Sequence, residues 1–290
     1  MVVTRPREQA DALAVTLRQV GAEVILAPVI RIVPRTPDEE ARRVLAGVAT
    51  YDLLVFTSVN GVRIFADRLD EAGPGLSVLK ASGVAVGRRP VLAAIGPATA
   101  AALEARGLAC DVVPEDYVAE GLLAALDRRG VAPAGARVLI PRAAEARSVL
   151  PDTLRRRGAS VDVLPVYDTL PAEGLEVPSE RLERADFITF TSSSTVRAFV
   201  DLFARETGAG DAAAAGDVAR AGNASAATGE TVRAREGFAG VATRLAAVKL
   251  CSIGPVTSAT LRELGLPVAV EAREYTTAGL VAAIVDAAGV

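Results

Sequence analysis

No histidine and no tryptophan occur among the 290 residues of this chain. The first absence removes imidazole as general base, proton shuttle or metal ligand. A Ser–His–Asp triad cannot form without it, and no Gly-x-Ser-x-Gly element is present to carry the serine. Cysteine is nearly missing too: Cys110 and Cys251 stand far apart, each in or beside an apolar run. They read as buried structural thiols rather than as a disulfide, a metal site or a nucleophile. No apolar run approaches the roughly 20 residues of a membrane span, and no basic-then-apolar leader opens the chain. The chain thus reads as soluble and cytoplasmic. Neither phosphate-loop pattern is found, which counts against a nucleotide- or sugar-binding α/β enzyme. No carboxylate pair stands out from helix-surface charge. A formal charge of −3 argues against a general nucleic-acid binder.

Aliphatic residues are plentiful. Hydrophobic residues make up 51% of the chain and aromatics only 4%, so Val, Leu, Ile and Ala must fill the cores. The length suits two domains. The chain also repeats itself. Tyr51-Asp52-Leu53-Leu54-Val55-Phe56-Thr57-Ser58 returns as Arg184-Ala185-Asp186-Phe187-Ile188-Thr189-Phe190-Thr191-Ser192. Ile95-Gly96-Pro97-Ala98-Thr99 returns as Ile253-Gly254-Pro255-Val256-Thr257, and Val2-Val3-Thr4-Arg5 as Leu139-Ile140-Pro141-Arg142. Each copy is an apolar run ending in small polar residues before a helical pattern. Strands alternating with helices at these lengths predict an α/β fold with parallel sheets and helices on both faces.

Two proline-rich stretches, 28–37 and 165–178, read as extended connectors. If each crosses between lobes, residues 1–34 plus 172–290 form a discontinuous first lobe and residues 35–171 the second. Two crossings make a double hinge, which suits opening and closing. The copies differ in length at one place: Ser58 to Gly96 spans 38 positions, Ser192 to Gly254 spans 62. The surplus falls within 207–243, rich in Ala, Gly, Ser, Thr and Asp, and predicts a mobile insertion. A short extra helix is the plain alternative there.

Four strand-to-helix junctions share one chemistry. They hold Ser58, Asn60 and Gly61; Gly96 and Thr99; Ser192 and Ser193; Gly254 and Thr257. Small polar side chains at helix starts accept from unpaired backbone N–H groups. Those N–H groups and the helix dipole also bind carboxylates or phosphates. One junction alone reads as a plain cap. Four in two matched pairs, at the carboxyl ends of duplicated strands, would converge on one cleft. Arg5, Arg63, Arg142, Arg147, Arg197 and Lys249 fall at or near strand ends, as solvated cations or as contacts for an anion. Tyr167 is the one ionisable hydroxyl on Pro165-Val166-Tyr167-Asp168, where the plain reading is a hinge-packing aromatic.

In order and spacing these elements resemble the uroporphyrinogen-III synthase family. The resemblance is carried by Val3-Thr4-Arg5-Pro6, Phe56-Thr57-Ser58-Val59-Asn60-Gly61-Val62, Ile95-Gly96-Pro97-Ala98-Thr99, Pro141-Arg142, Pro165-Val166-Tyr167, Phe190-Thr191-Ser192, and Lys249 with Ile253-Gly254-Pro255-Val256-Thr257. It covers nearly the whole chain outside 207–243. It implies two flavodoxin-like lobes joined by two extended crossover connectors. It also implies a cofactor-free hydro-lyase of haem, sirohaem and cobalamin synthesis. Hydroxymethylbilane would be closed to uroporphyrinogen III, with inversion of the last pyrrole and loss of water. The family's tyrosine, proposed to assist departure of the hydroxyl, corresponds to Tyr167. Its cleft-lining hydroxyls and cation correspond to Ser58, Thr99, Ser192, Lys249 and Thr257.

That substrate is a polycarboxylate, which suits many N–H and hydroxyl donors. Loss of hydroxide gives an azafulvenium, and attack by the substituted carbon of the last ring gives a spiro intermediate. Unassisted closure gives the uninverted isomer, so the catalyst must hold one conformation. The expected partner is the linear tetrapyrrole, handed over from hydroxymethylbilane synthase, with no nucleic acid, membrane or metal involved and a monomer as the working state. Two features depart from the family: Met1 begins inside the first strand, and the insertion is long. No fused methyltransferase or regulatory domain is expected after Val290. The rival reading from another class is a non-catalytic, two-lobed sensor that closes on an anionic small molecule; Tyr167 speaks against it, since binding alone does not need that residue.

Overall fold

A computed structural model describes residues 1–71, 74–80, 89–131, 134–208 and 239–289. Most of the predicted insertion, residues 209–238, lies outside the described residues. Among those described, the strands are β1 (Val2–Val3), β2 (Ile25–Leu26), β3 (Ile30–Pro34), β4 (Leu53–Phe56), β5 (Val91–Ala94), β6 (Arg137–Ala143), β7 (Ser160–Pro171), β8 (Phe187–Phe190), β9 (Lys249–Ser252) and β10 (Val270–Glu271). They form two five-stranded sheets, in the orders β10-β9-β8-β1-β2 and β3-β7-β6-β4-β5. Pairings along the first sheet are parallel, and so are β7-β6, β6-β4 and β4-β5 in the second. The parallel α/β architecture expected from the alternation is present. By contacts the chain divides into two compact units, Met1–Arg31 with Leu170–Val290, and Ile32–Thr169.

In the discontinuous unit, β1 lies between β8 and β2 and is buried on both faces. Val2 packs with Phe190, Phe199 and Leu261 on one side, and Val3 with Leu13, Leu17 and Leu280 on the other. This two-sided burial explains why the strands read as continuous apolar runs rather than alternating ones. Two buried threonines are satisfied by the backbone. Thr4 Oγ1 donates to Thr189 O at 2.7 Å, and Thr189 Oγ1 donates to Val2 O at 3.0 Å.

The contiguous unit repeats the plan. Leu54 and Phe56 face Phe65, Leu69 and Leu103; Leu53 and Val55 face Leu122, Leu126, Leu150 and Leu154. The duplication reaches the aromatic packing. Phe56 meets Phe65 edge-to-face at 5.4 Å, and Phe190 meets Phe199 edge-to-face at 5.3 Å. Each pair fastens a helix to the strand before it, worth about 0.5–1.5 kcal/mol beyond burial.

The structure differs from the sequence reading in detail. The proline-rich connectors are partly strand, since β3 and most of β7 lie in or overlap them. A helix at Glu39–Ala46 follows the first, capped by Asp38, whose carboxylate accepts from Ala41 N at 2.8 Å. The strand expected at Val112-Val113 shrinks to one bridge between Ala93 and Val112. Cys251 is buried as expected, whereas Cys110 is only half-buried, and both are free thiols.

Candidate active site

Because β4, β5 and β6 are parallel neighbours, their carboxyl ends share one edge of their sheet. Ser58 follows β4 there, and its Oγ accepts from Gly61 N at 2.9 Å, capping the helix Val59–Glu71. The same Oγ lies 3.0 Å from the Tyr167 hydroxyl. Tyr167 arrives through an irregular register. β6 and β7 pair in step up to Arg142 with Pro165, then Ala143 pairs with Tyr167 and Val166 is skipped. A bulge of this kind re-aims the side chain that follows it. Tyr167 is 6% exposed. Burial pushes its pKa up, and the hydrogen bond with Ser58 offsets part of that rise. Asn60 lies half-buried in the first turn of that helix. At Gly61 a Cβ would meet Pro141 O at 3.1 Å and Ser58 Oγ at 3.2 Å, so this helix start presses on the end of β6.

The Gly-Pro-x-Thr elements open the helices Pro97–Glu104 and Pro255–Glu263, one in each unit. No side chain caps either helix. Gly96 and Gly254 are extended, with φ of −170° and 168°, a conformation open to any residue. Space is the reason for glycine. A Cβ would sit 3.3 Å from the Tyr117 ring at Gly96 and 2.9 Å from the Tyr275 ring at Gly254. Thr99 and Thr257 are 5% and 4% exposed. Among the described residues neither hydroxyl has a hydrogen-bond partner, and neither is among the fully enclosed orphan atoms. The little surface each threonine shows therefore includes its hydroxyl.

Ser192 and Ser193 are already engaged. Ser192 Oγ accepts from Thr195 N at 3.2 Å, and Thr195 Oγ1 accepts from Ser192 N at 3.3 Å, a reciprocal capping box. Ser193 Oγ accepts from Thr260 Oγ1 at 2.8 Å and donates to Val256 O at 3.4 Å, which ties two helix starts together.

The cations divide. Arg5, beyond β1, has its guanidinium on Gln9 Oε1 at 3.1 Å, and its Nε is enclosed without a partner. Burial lowers its pKa. Arg142, at the end of β6, donates to Ala146 O at 2.9 Å and Arg147 O at 2.8 Å, and its Nε is likewise an enclosed orphan. Among the described residues no carboxylate pairs with either. Arg197 is taken by Glu263 at 2.8 Å, while Arg63 and Arg147 are exposed.

Lys249 requires a correction. It pairs with Phe187 at the amino end of β9, with about 10 Å of strand between it and Ser252 at the carboxyl end, before the Gly254 junction. Its ammonium lies 5.2 Å from the Phe187 ring centre and donates to Ala287 O at 3.2 Å. The sequence places it before the apolar run, and a parallel strand starts at the edge opposite to its donor junction.

Each unit thus gathers a set of its own: Ser58, Gly61, Gly96, Thr99, Arg142 and Tyr167 in one, Arg5, Ser192, Ser193, Gly254 and Thr257 in the other. The sequence reading passed over Tyr117 and Tyr275, although both recur in a Tyr-x-x-x-Gly pattern. It also passed over a buried polar chain in which Ser252 Oγ lies 2.6 Å from Ser258 Oγ, which in turn donates to Glu271. Ala94, Ala100 and Val113 hold the matching positions in the other unit.

The family model described as "Uroporphyrinogen-III synthase HemD" matches residues 11–282. The chain belongs to the uroporphyrinogen-III synthase family. A uroporphyrinogen-III synthase of Synechococcus elongatus is 30% identical, across 98% of this chain and 93% of that protein. A putative one of Methanothermobacter thermautotrophicus is 31% identical, across 100% and 98%. Two solved family structures share the fold. A Thermus thermophilus enzyme superposes with a TM-score of 0.56 at 21% identity over 99% of this chain and 98% of that one. A Helicobacter pylori enzyme does so with a TM-score of 0.56 at 15% identity over 98% and 97%.

Proposed function

We propose that this chain closes hydroxymethylbilane to uroporphyrinogen III, with inversion of the last pyrrole and loss of water. Membership of the family carries the reading, and the site chemistry supports it. The substrate's carboxylates would be met by the uncapped starts of the helices Pro97–Glu104 and Pro255–Glu263, the solvent-facing hydroxyls of Thr99 and Thr257, and the carboxylate-free cations Arg5 and Arg142. Ser58 and Ser192 then act as helix caps and Ser193 ties its helix start to the helix Pro255–Glu263, with Asn60 and Gly61 setting the first turn beside Ser58.

Tyr167 is the proton donor in this reading. The pyrrole pushes out its hydroxymethyl oxygen, the C–O bond breaks, and the phenol passes its proton to the departing hydroxide, which leaves as water; the phenolate regains a proton from the one released when the closed macrocycle's pyrroles regain aromaticity. Burial favours the neutral phenol, so the donor stays protonated at neutral and mildly alkaline pH. Ring closure and inversion are matters of holding one conformer.

We further infer a cytoplasmic monomer that receives its unstable substrate from hydroxymethylbilane synthase. No helix among the described residues is long and apolar enough to cross a membrane. The deciding assay supplies freshly generated hydroxymethylbilane and separates the isomers after oxidation to porphyrin. Type III product is expected. Only the type I background, with tight ligand binding, would instead make the protein a sensor.

A further inference from the structure

Each unit sets a tyrosine against its Gly-Pro-x-Thr helix start, and the two arrangements match. Tyr275 follows Tyr117 by the same 158 positions that separate Gly254 from Gly96. The rings occupy the space a Cβ would need at those glycines. A second glycine in each unit makes this possible. Gly121 and Gly279 lie inside helices, where a Cβ would come within 2.2 Å of Asp116 O and Glu274 O. Glycine weakens a helix interior, yet in both units it admits the tight turn that brings the tyrosine onto the helix start.

Packing alone does not account for this outlay of glycine. Tyr51 and Tyr167 belong to a core cluster, whereas Tyr117 and Tyr275 belong to none. Tyr51 bonds Asp162 and Tyr167 bonds Ser58; among the described residues the Tyr117 and Tyr275 hydroxyls have no partner. Tyr117 is half-buried and Tyr275 is 38% exposed. The helix start that each ring packs on also carries, in its first turn, the unpartnered and partly exposed hydroxyl of Thr99 or Thr257.

We propose that Tyr117 and Tyr275 are substrate contacts, each holding a pyrrole ring beside the helix start that binds that ring's carboxylate. This rests on the tetrapyrrole reading above and deepens it. A pyrrole is planar and electron-rich, and aromatic rings pair offset or edge-on. The helix start recognises charge and the tyrosine recognises the ring that bears it. Together they fix both the place and the tilt of a pyrrole, which a carboxylate contact alone leaves free to swivel.

The test compares Tyr117→Leu, Tyr275→Leu, Tyr117→Phe and Tyr275→Phe with the unaltered protein on freshly generated hydroxymethylbilane. Each leucine change is expected to raise KM about three- to tenfold with a smaller change in kcat, and each phenylalanine change to leave KM within about twofold. Leucine variants with unaltered KM overturn the proposal, as do phenylalanine variants as impaired as the leucine ones. Should a leucine variant not fold, tyrosine emission decides. The chain has no tryptophan and four tyrosines, so anaerobic uroporphyrinogen III should quench emission, and should quench it less in the Tyr117→Phe/Tyr275→Phe double variant. Equal quenching in both overturns the proposal. If the unaltered protein makes no type III product, the functional reading fails, a result distinct from normal turnover with indifferent tyrosines.

Discussion

The Tyr167 phenol and the Ser58 hydroxyl lie 3.0 Å apart, and Ser58 Oγ also accepts from the backbone N–H of Gly61 at 2.9 Å. A helix cap and a candidate proton donor therefore share one oxygen. Tyr167→Phe removes the donor and leaves the cap, so turnover should fall by about tenfold or more with the thermal midpoint nearly unchanged. Ser58→Ala removes the cap and leaves the phenol, and should cost about 1 kcal/mol of stability. Steady-state kinetics with thermal melts check both. A Tyr167→Phe variant of full activity would remove this tyrosine from the chemistry.

Thr99→Val and Thr257→Val separate binding from folding. Neither hydroxyl has a protein partner among the described residues, so their loss should leave stability within about 0.5 kcal/mol. A lost hydrogen bond to a charged group is worth about 1.5–3 kcal/mol, so KM should rise about tenfold or more. A large fall in melting temperature with unchanged KM would reverse the assignment.

Gly254→Ala should destabilise more than Gly96→Ala. The added methyl would stand 2.9 Å from the Tyr275 ring in the first case and 3.3 Å from the Tyr117 ring in the second. Overpacking costs about 1–3 kcal/mol. Denaturant melts measure the difference, and adding Tyr275→Leu to Gly254→Ala should recover part of the loss. Two equally stable glycine variants would contradict the packing described.

Alkaline pH should loosen the fold in a defined window. Tyr51 is pushed from 10.0 up to about 12, first by burial and then by its bond to Asp162. The native state favours the protonated phenol. Its contribution is complete below pH 10 and is lost as pH rises through about 12. Tyr51→Phe should flatten the pH dependence of unfolding free energy between those values. An unchanged slope would place the titration elsewhere.

Much of the architecture was legible because fully buried parallel strands announce themselves as apolar runs with small polar ends. Leu53–Phe56 and Phe187–Phe190 are such runs. The donor junctions were legible too, but not which hydroxyls remain free. A serine that caps a helix and a threonine left for a ligand are written with the same kind of residue. Only coordinates show Ser192 closed in its capping box and Thr257 unpaired. Lys249 was misplaced because its role came from the family resemblance, although it precedes its apolar run and so stands at the amino end of a strand whose donor junction is at the carboxyl end. Tyr117 and Tyr275 were missed because their repeat retains little beyond one tyrosine and one glycine.

The placement of β1 between β2 and β8 bears on how the protein is made. Thr4 reaches its backbone acceptor on Thr189 across 185 positions of sequence. A ribosome adding about 5–20 residues each second keeps that first strand waiting on the order of 10–40 s for its neighbour. Residues 32–169 emerge in the interval as one uninterrupted compact unit. Birth order and assembly order thus part company: β1 meets β2 early and gains its other neighbour, β8, only after the whole contiguous unit has been made.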